Sequence, residues 1–182
     1  ALLASIREAA GIPTRTPTPT PSPPPFKVEE GTIRAYARDL DVDWGTVIRT
    51  YGPALNDDLY ENSIGKQFNV LVPENGMYMV DIQRIRGIWN FDRMDRVVEL
   101  AEANDMKVRG HTLIWGKDYR EGITIGEDWT PTPAWVHTGN FTREEMIDIM
   151  NDYIKTVMNR YGDRIDEWVV VNEPIWWGSE GG

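Results

Sequence analysis

The chain has 182 residues, 41% hydrophobic and 26% charged, a composition that suits a globular protein of about one domain. Its formal net charge is −10, and Lys and Arg form no cluster of the kind that tracks phosphates, which argues against a nucleic-acid partner. No apolar run approaches the roughly 20 residues of a membrane span, and the absence of cysteine excludes a disulfide framework or a thiolate metal site.

The opening "ALLASIREAAGIP" lacks the basic and apolar regions of a signal peptide. Residues 1–12 therefore read as the remnant of an upstream region. Residues 13–25, "PTRTPTPTPSPPP", are nearly all Pro, Thr and Ser and cannot bury apolar surface. They are expected to form an extended linker to an upstream domain, of a kind commonest in secreted multidomain proteins. From Phe26 onward the composition is globular, and residues 26–182 are expected to form one folded unit.

In chain order, "DVDWGTVI" (41–48) is a β-branched run and predicts a first strand. Residues from about Pro53 to Lys66, with Leu55, Leu59 and Ile64, predict a helix of weak periodicity. "QFNVLVPEN" (67–75) is a second strand. Asp92 is expected to cap a helix whose Met94, Val97, Val98 and Ala101 share one face. "MKVRGHTLIW" (106–115) is a third strand, followed by a long polar loop. Thr142 and Glu145 have capping-box spacing, and Met146, Ile149, Met150, Tyr153, Ile154, Val157 and Tyr161 line one face of the helix that follows. "DEWVVVNEP" (166–174) is a fourth strand, apolar enough to be expected buried on both faces. Strands alternating with crossover helices imply an α/β fold with a parallel sheet.

In such folds chemistry collects at the C-terminal ends of the strands. There the second strand ends in Pro73-Glu74-Asn75, the third carries His111 and ends in Trp115, and the fourth ends in Asn172-Glu173. A lone glutamate at a strand end is more often a helix cap or a surface ion pair. The Asn172 amide beside it, able to bond a substrate hydroxyl, favours a proton-donating role for Glu173, with partial desolvation at the rim assisting. Arg109, His111 and Trp115 share strand parity and are expected to line one polar cavity. Trp176 and Trp177 suit either packing over the strand ends or stacking on a sugar. Two histidines, His111 and His137, without HExxH spacing argue against catalytic zinc, and there is no GxSxG elbow or phosphate-binding loop. No metal or other cofactor is expected.

The blocks "FNVLVPENGMYMVDIQ", "RGIWNFDRMDRVVELAEANDMKVRGHTLIW", "PAWV" and "RIDEWVVVNEP" resemble, in order and spacing, the family 10 glycoside hydrolases, the β-1,4-xylanases. The resemblance runs from about Ile33 to Pro174 and implies a (β/α)8 TIM barrel that hydrolyses xylan with retention, using two glutamates. It implies that Glu173 is the general acid/base and that Asn172 contacts the 2-hydroxyl of the sugar being cleaved. Glu74 and Asn75 match residues gripping the glycone-side sugars, and His111 and Trp115 match residues lining the cleavage subsite. Tyr78 stands where the family usually has a sugar-binding lysine, and Gly116 where it has histidine, followed by a longer loop "KDYREGITIGEDWTPT".

A barrel of this type needs roughly 250 residues, so residues 26–182 are expected to hold only about strands 1–4. The resemblance places the nucleophile glutamate on a seventh strand, beyond Gly182. The expectation is then half a secreted, extracellular endo-β-1,4-xylanase, inactive alone, with unpaired edges on its first and fourth strands. Two other readings stay open: a related β-1,4-glucanase, favoured by Tyr78, and a carbohydrate-binding barrel without catalysis.

Overall fold

The computed structural model describes residues 26–52, 56–116 and 130–174. The Pro/Thr segment, the upstream remnant, Trp176 and Trp177 lie outside the described residues.

Four strands form one parallel sheet in the order β1-β2-β3-β4, with β1 Gly45–Ile48, β2 Val70–Pro73, β3 Lys107–Trp115 and β4 Glu167–Asn172. The connections are helical: α2 (Asp58–Gln67) after β1, α3 (Met79–Ile82) and α4 (Asp92–Ala103) after β2, and α5 (Ala134–Thr138) and α6 (Arg143–Tyr161) after β3. A further helix, α1 (Ile33–Asp39), precedes the sheet. The βα alternation expected from the sequence is therefore present, and β1 and β4 are the outer strands among the described residues.

Strand parity separates two faces. Ile48, Leu71 and Val108 are buried against Met94, Val97, Val98, Tyr153, Val157 and Tyr161 of α4 and α6, and this layer is the hydrophobic core. On α4 the buried set is the expected Met94, Val97, Val98 and Ala101, joined by Leu100. On α6 the capping box is complete, with the Glu145 N–H donating to Thr142 Oγ1 (3.2 Å) and the Thr142 N–H to Glu145 Oε2 (2.8 Å). Tyr153, Val157 and Tyr161 are fully buried beneath it, and the rest of the expected stripe is half-buried.

Four expectations change. Asp92 is the first residue of α4 rather than its cap; the Asp92 N–H is taken by Asn90 Oδ1 (3.0 Å), and Asp92 and Asp95 instead place charge in the first turn. Helix α2 begins at Asp58 because Asp57 accepts from the N–H groups of Leu59 (2.9 Å) and Tyr60 (3.1 Å), and Leu59 itself is 77% exposed. Helix α1 was not foreseen. Its cap is Thr32, and Arg34 turns inward to donate to the carbonyls of Gly65 (2.8 Å) and Asp105 (2.7 Å). Lastly, β4 is not buried on both faces: Val170 is 54% and its neighbour Val171 48% exposed, because among the described residues no strand pairs beyond β4 and no helix follows it.

The pairing of β3 with β4 is close. Trp168 lies opposite Gly110, and a Cβ on Gly110 would stand 2.7 Å from the indole ring, so only glycine admits Trp168 there. Register slips between His111 and Ile114, after which Trp115 pairs with Asn172. That slip sets where the third and fourth strands deliver their last side chains.

Candidate active site

At the end of β2 the chain turns sharply through Glu74, Asn75, Gly76, Met77 and Tyr78. The Glu74 N–H still donates to Ile48 O (2.9 Å), so Glu74 leaves the sheet from a fixed point. Its carboxylate pairs with Arg49 Nε at 3.2 Å. Asn75 is buried, and its Oδ1 accepts from the Thr50 N–H (3.2 Å) and from the Thr50 hydroxyl. Gly76 takes a φ of +88°, which glycine adopts without the steric cost of a Cβ.

Tyr78 is also buried, and its hydroxyl donates to the Glu74 carbonyl at 2.6 Å. Burial, and after it the nearby carboxylates, push this phenol up to about 12, so it remains a donor. The ring meets His111 edge-on at 6.0 Å between centroids and Trp115 at 5.4 Å, while His111 and Trp115 stand 6.2 Å apart. Second and third strand ends thus meet around three rings.

The fourth strand contributes Glu173. Trp115 donates its indole N–H to Glu173 Oε2 at 3.1 Å, while the Trp115 carbonyl accepts from the Thr132 hydroxyl at 2.6 Å. Glu173 has a φ of +47°, a left-handed conformation that costs energy for a residue with a side chain. Burial lowers the His111 imidazole below its usual 6.5, opposed by the field of Glu173, so it is neutral at pH 7. Tyr78 in turn feels both Glu74 and Glu173. The two carboxylates flank one aromatic corner.

The expected site residues are therefore brought together: Glu74, Asn75 and Tyr78 from the β2 rim, His111 and Trp115 from β3, Asn172 and Glu173 from β4. Two expectations fail in detail. The Glu173 carboxylate is exposed, so the described residues do not supply the expected desolvation. Arg109 shares the His111 face but belongs to an ion pair with Glu167 (2.7 Å), near the opposite end of the strands from the Trp115 rim. Sequence reasoning missed Arg49, Thr50 and Asp81. The polar run after β1 was the signal for Arg49 and Thr50, but their partners Glu74 and Asn75 lie 25 residues along the chain, too far to be paired by local pattern.

The constellation offers one carboxylate among neutral rings beside a half-buried amide, and a second held by a guanidinium, on one rim of a parallel βα sheet. That is a place for a polyhydroxylated substrate and a proton donor.

The chain is 36% identical over 121 residues to a β-1,4-xylanase of Dictyoglomus thermophilum, covering 66% of this chain and 30% of that protein. It is 30% identical over 151 residues to endo-1,4-beta-xylanase B of Thermotoga neapolitana, covering 82% and 40%. Among solved structures, xylanase 10B of Thermotoga petrophila in complex with xylobiose superposes with a TM-score of 0.70 at 30% identity, covering 83% of this chain and 42% of that one. The chain thus spans less than half the length of these relatives, and its four strands are a partial (β/α) barrel. Residues 33–181 match the glycosyl hydrolase family 10 profile, and the chain belongs to that family.

Proposed function

We propose that this chain supplies the acid/base half of an endo-1,4-β-xylanase acting on xylan with retention. The observation that carries the reading is Glu173, hydrogen-bonded by Trp115 at the strand rim beside the His111 ring. In this reading Glu173 protonates the departing glycosidic oxygen, then takes a proton from the water that releases the glycosyl-enzyme. Asn172 bonds the 2-hydroxyl of the sugar under attack, and Glu74 and Asn75 grip the sugars on the glycone side. His111 and Trp115 wall the cleavage subsite. Tyr78 holds the wall from behind, because its hydroxyl is already given to Glu74 O.

Retaining chemistry needs a second carboxyl roughly 5–5.5 Å from the first. We assign it to the portion of the barrel that the relatives possess and this chain does not span. On this reading the 182-residue chain alone turns over no xylan. The Pro/Thr segment joins the barrel to an upstream domain, and the protein works outside the cell on polysaccharide. A glucanase remains the second reading, favoured by the buried phenol of Tyr78 at the usual lysine position. Turnover of xylan against mixed-linkage β-glucan by the full-length protein separates the two.

The acid/base assignment is tested in the full-length protein with Glu173→Gln. Xylan cleavage should fall by about 10²–10⁴-fold, while glycosyl-enzyme formation from aryl xylobiosides with good leaving groups persists. Equal losses on both substrates would refute the role.

A further inference from the structure

The Asp81 carboxylate is left unused by that reading, yet it is the most enclosed acid near the rim, with its side chain 2% exposed. A carboxylate withdrawn from water persists only where donors replace the lost solvation. Three do so here. The Tyr51 hydroxyl donates to Oδ1, Arg93 Nη1 donates to the same oxygen at 3.2 Å, and the Gly76 backbone N–H donates to Oδ2 at 2.8 Å.

The partners are themselves braced. The Arg93 guanidinium lies 3.9 Å from the centroid of the Tyr51 ring. Burial, then the Asp81 bond, push the Tyr51 phenol up to about 12, so it stays protonated and donating. Gly76, at φ +88°, sits so close to Thr50 that a Cβ would stand 2.9 Å from its hydroxyl oxygen. The amide that Asp81 holds therefore belongs to the residue that bends the chain directly after Glu74 and Asn75.

We propose that Asp81 is a positioning residue: through the Gly76 N–H it sets the turn that presents Glu74 and Asn75 to sugar. Tyr51 and Arg93 orient Asp81 for this task. The inference rests on the xylanase reading and adds to it a residue that touches no substrate.

The test uses the full-length protein carrying this chain, with Asp81→Ala and with Asp81→Asn, which keeps an oxygen for Gly76 and guards against failure of the alanine variant to fold. In Asp81→Ala, kcat/KM should fall about tenfold on an aryl xylobioside, whose second sugar reaches the turn, and less than about threefold on an aryl xyloside. Asp81→Asn should restore part of the difference. Hydrogen exchange at the Gly76 amide should quicken by about tenfold in Asp81→Ala while α4 amides stay unchanged. Equal losses on both glycosides in either variant, or an unaltered Gly76 amide in Asp81→Ala, would overturn the proposal. If the unsubstituted protein cleaves neither glycoside, the xylanase reading fails, and Gly76 exchange still decides whether Asp81 holds the turn.

Discussion

At the end of β2, the turn from Glu74 to Tyr78 is fastened at several points: Thr50 to Asn75, Asp81 to Gly76, Tyr78 to the Glu74 carbonyl, and Arg49 to the Glu74 carboxylate. At the end of β4, Glu173 takes its hydrogen bond from one indole and stands exposed in a left-handed conformation. The two rims are alike in position and unlike in construction. A group that grips sugar hydroxyls gains from being held still before substrate arrives, because ordering it later would cost binding energy. A group that gives and takes a proton must carry either charge state without losing its place. Arg49 gives Glu74 an exposed cationic neighbour, whereas among the described residues Glu173 stands beside a neutral indole and an imidazole that burial keeps neutral at pH 7. The difference shows that the β2 rim is pre-organised from within this chain. Among the described residues, the β4 rim holds Glu173 by the indole bond from Trp115.

The largest effect should come from Glu173→Gln, with its loss of about 10²–10⁴-fold on xylan. A comparably large loss from any substitution confined to the β2 turn would break the comparison, since gripping residues should act mainly through substrate affinity.

Next in size is a control in the helix layer beneath both rims. Asp95 joins α4 to α6 by accepting from Arg160 Nε (2.9 Å) and from the Tyr161 hydroxyl (2.7 Å). Burial pushes the Asp95 carboxyl up, but the bonds from Arg160 and Tyr161 outweigh it and hold the group below the usual carboxylate range. A depressed folded value means that this contribution is complete above the unfolded value near pH 4 and is lost as pH falls through the folded one. Asp95→Asn should cost about 2 kcal/mol at pH 7. The gap from the parent should narrow in urea melts as pH falls below the ordinary carboxylate range. It should leave the ratio of xylobioside to xyloside turnover unchanged; a shift in that ratio would mean that the helix layer and the rims are not separable.

Trp115→Phe keeps the ring against Tyr78 but removes the donor to Glu173. We expect kcat to drop about tenfold with KM little changed, because the proton donor is no longer aimed. A change confined to KM would make Trp115 a sugar contact rather than a guide for Glu173. Tyr78→Phe should be the mildest, at about 1 kcal/mol of stability with activity within about threefold, because the remaining bonds still fasten the turn. A larger catalytic loss there would show that the phenol reaches substrate and that the β2 rim is less redundant than its bonds suggest.

Much of this was legible in the chain itself. The four strands, the amphipathic face of α4 and the capping box of α6 depend on residues within a few positions of one another, and local periodicity and capping report such patterns directly. Glu173 and Asn172 were legible because a proline-terminated apolar strand leaves few reasons for an acid and an amide at its end. The fastening of the β2 turn was not. Arg49 and Glu74 are 25 residues apart, Tyr51 and Asp81 are 30, and neither pair leaves a local signature.

By itself, then, the sequence determined the order of the four strands and of helices α2, α4 and α6, the buried faces of α4 and α6, and which polar side chains stand at strand ends, since alternation and helical spacing are properties of short stretches. Only the tertiary structure decided that Tyr78 turns its hydroxyl to the backbone, that Asp81 grips Gly76, and that Arg109 pairs with Glu167 away from the site. Those outcomes depend on which donor stands within reach of which acceptor once the parallel register is set. Register is fixed by packing between distant segments rather than by any one of them.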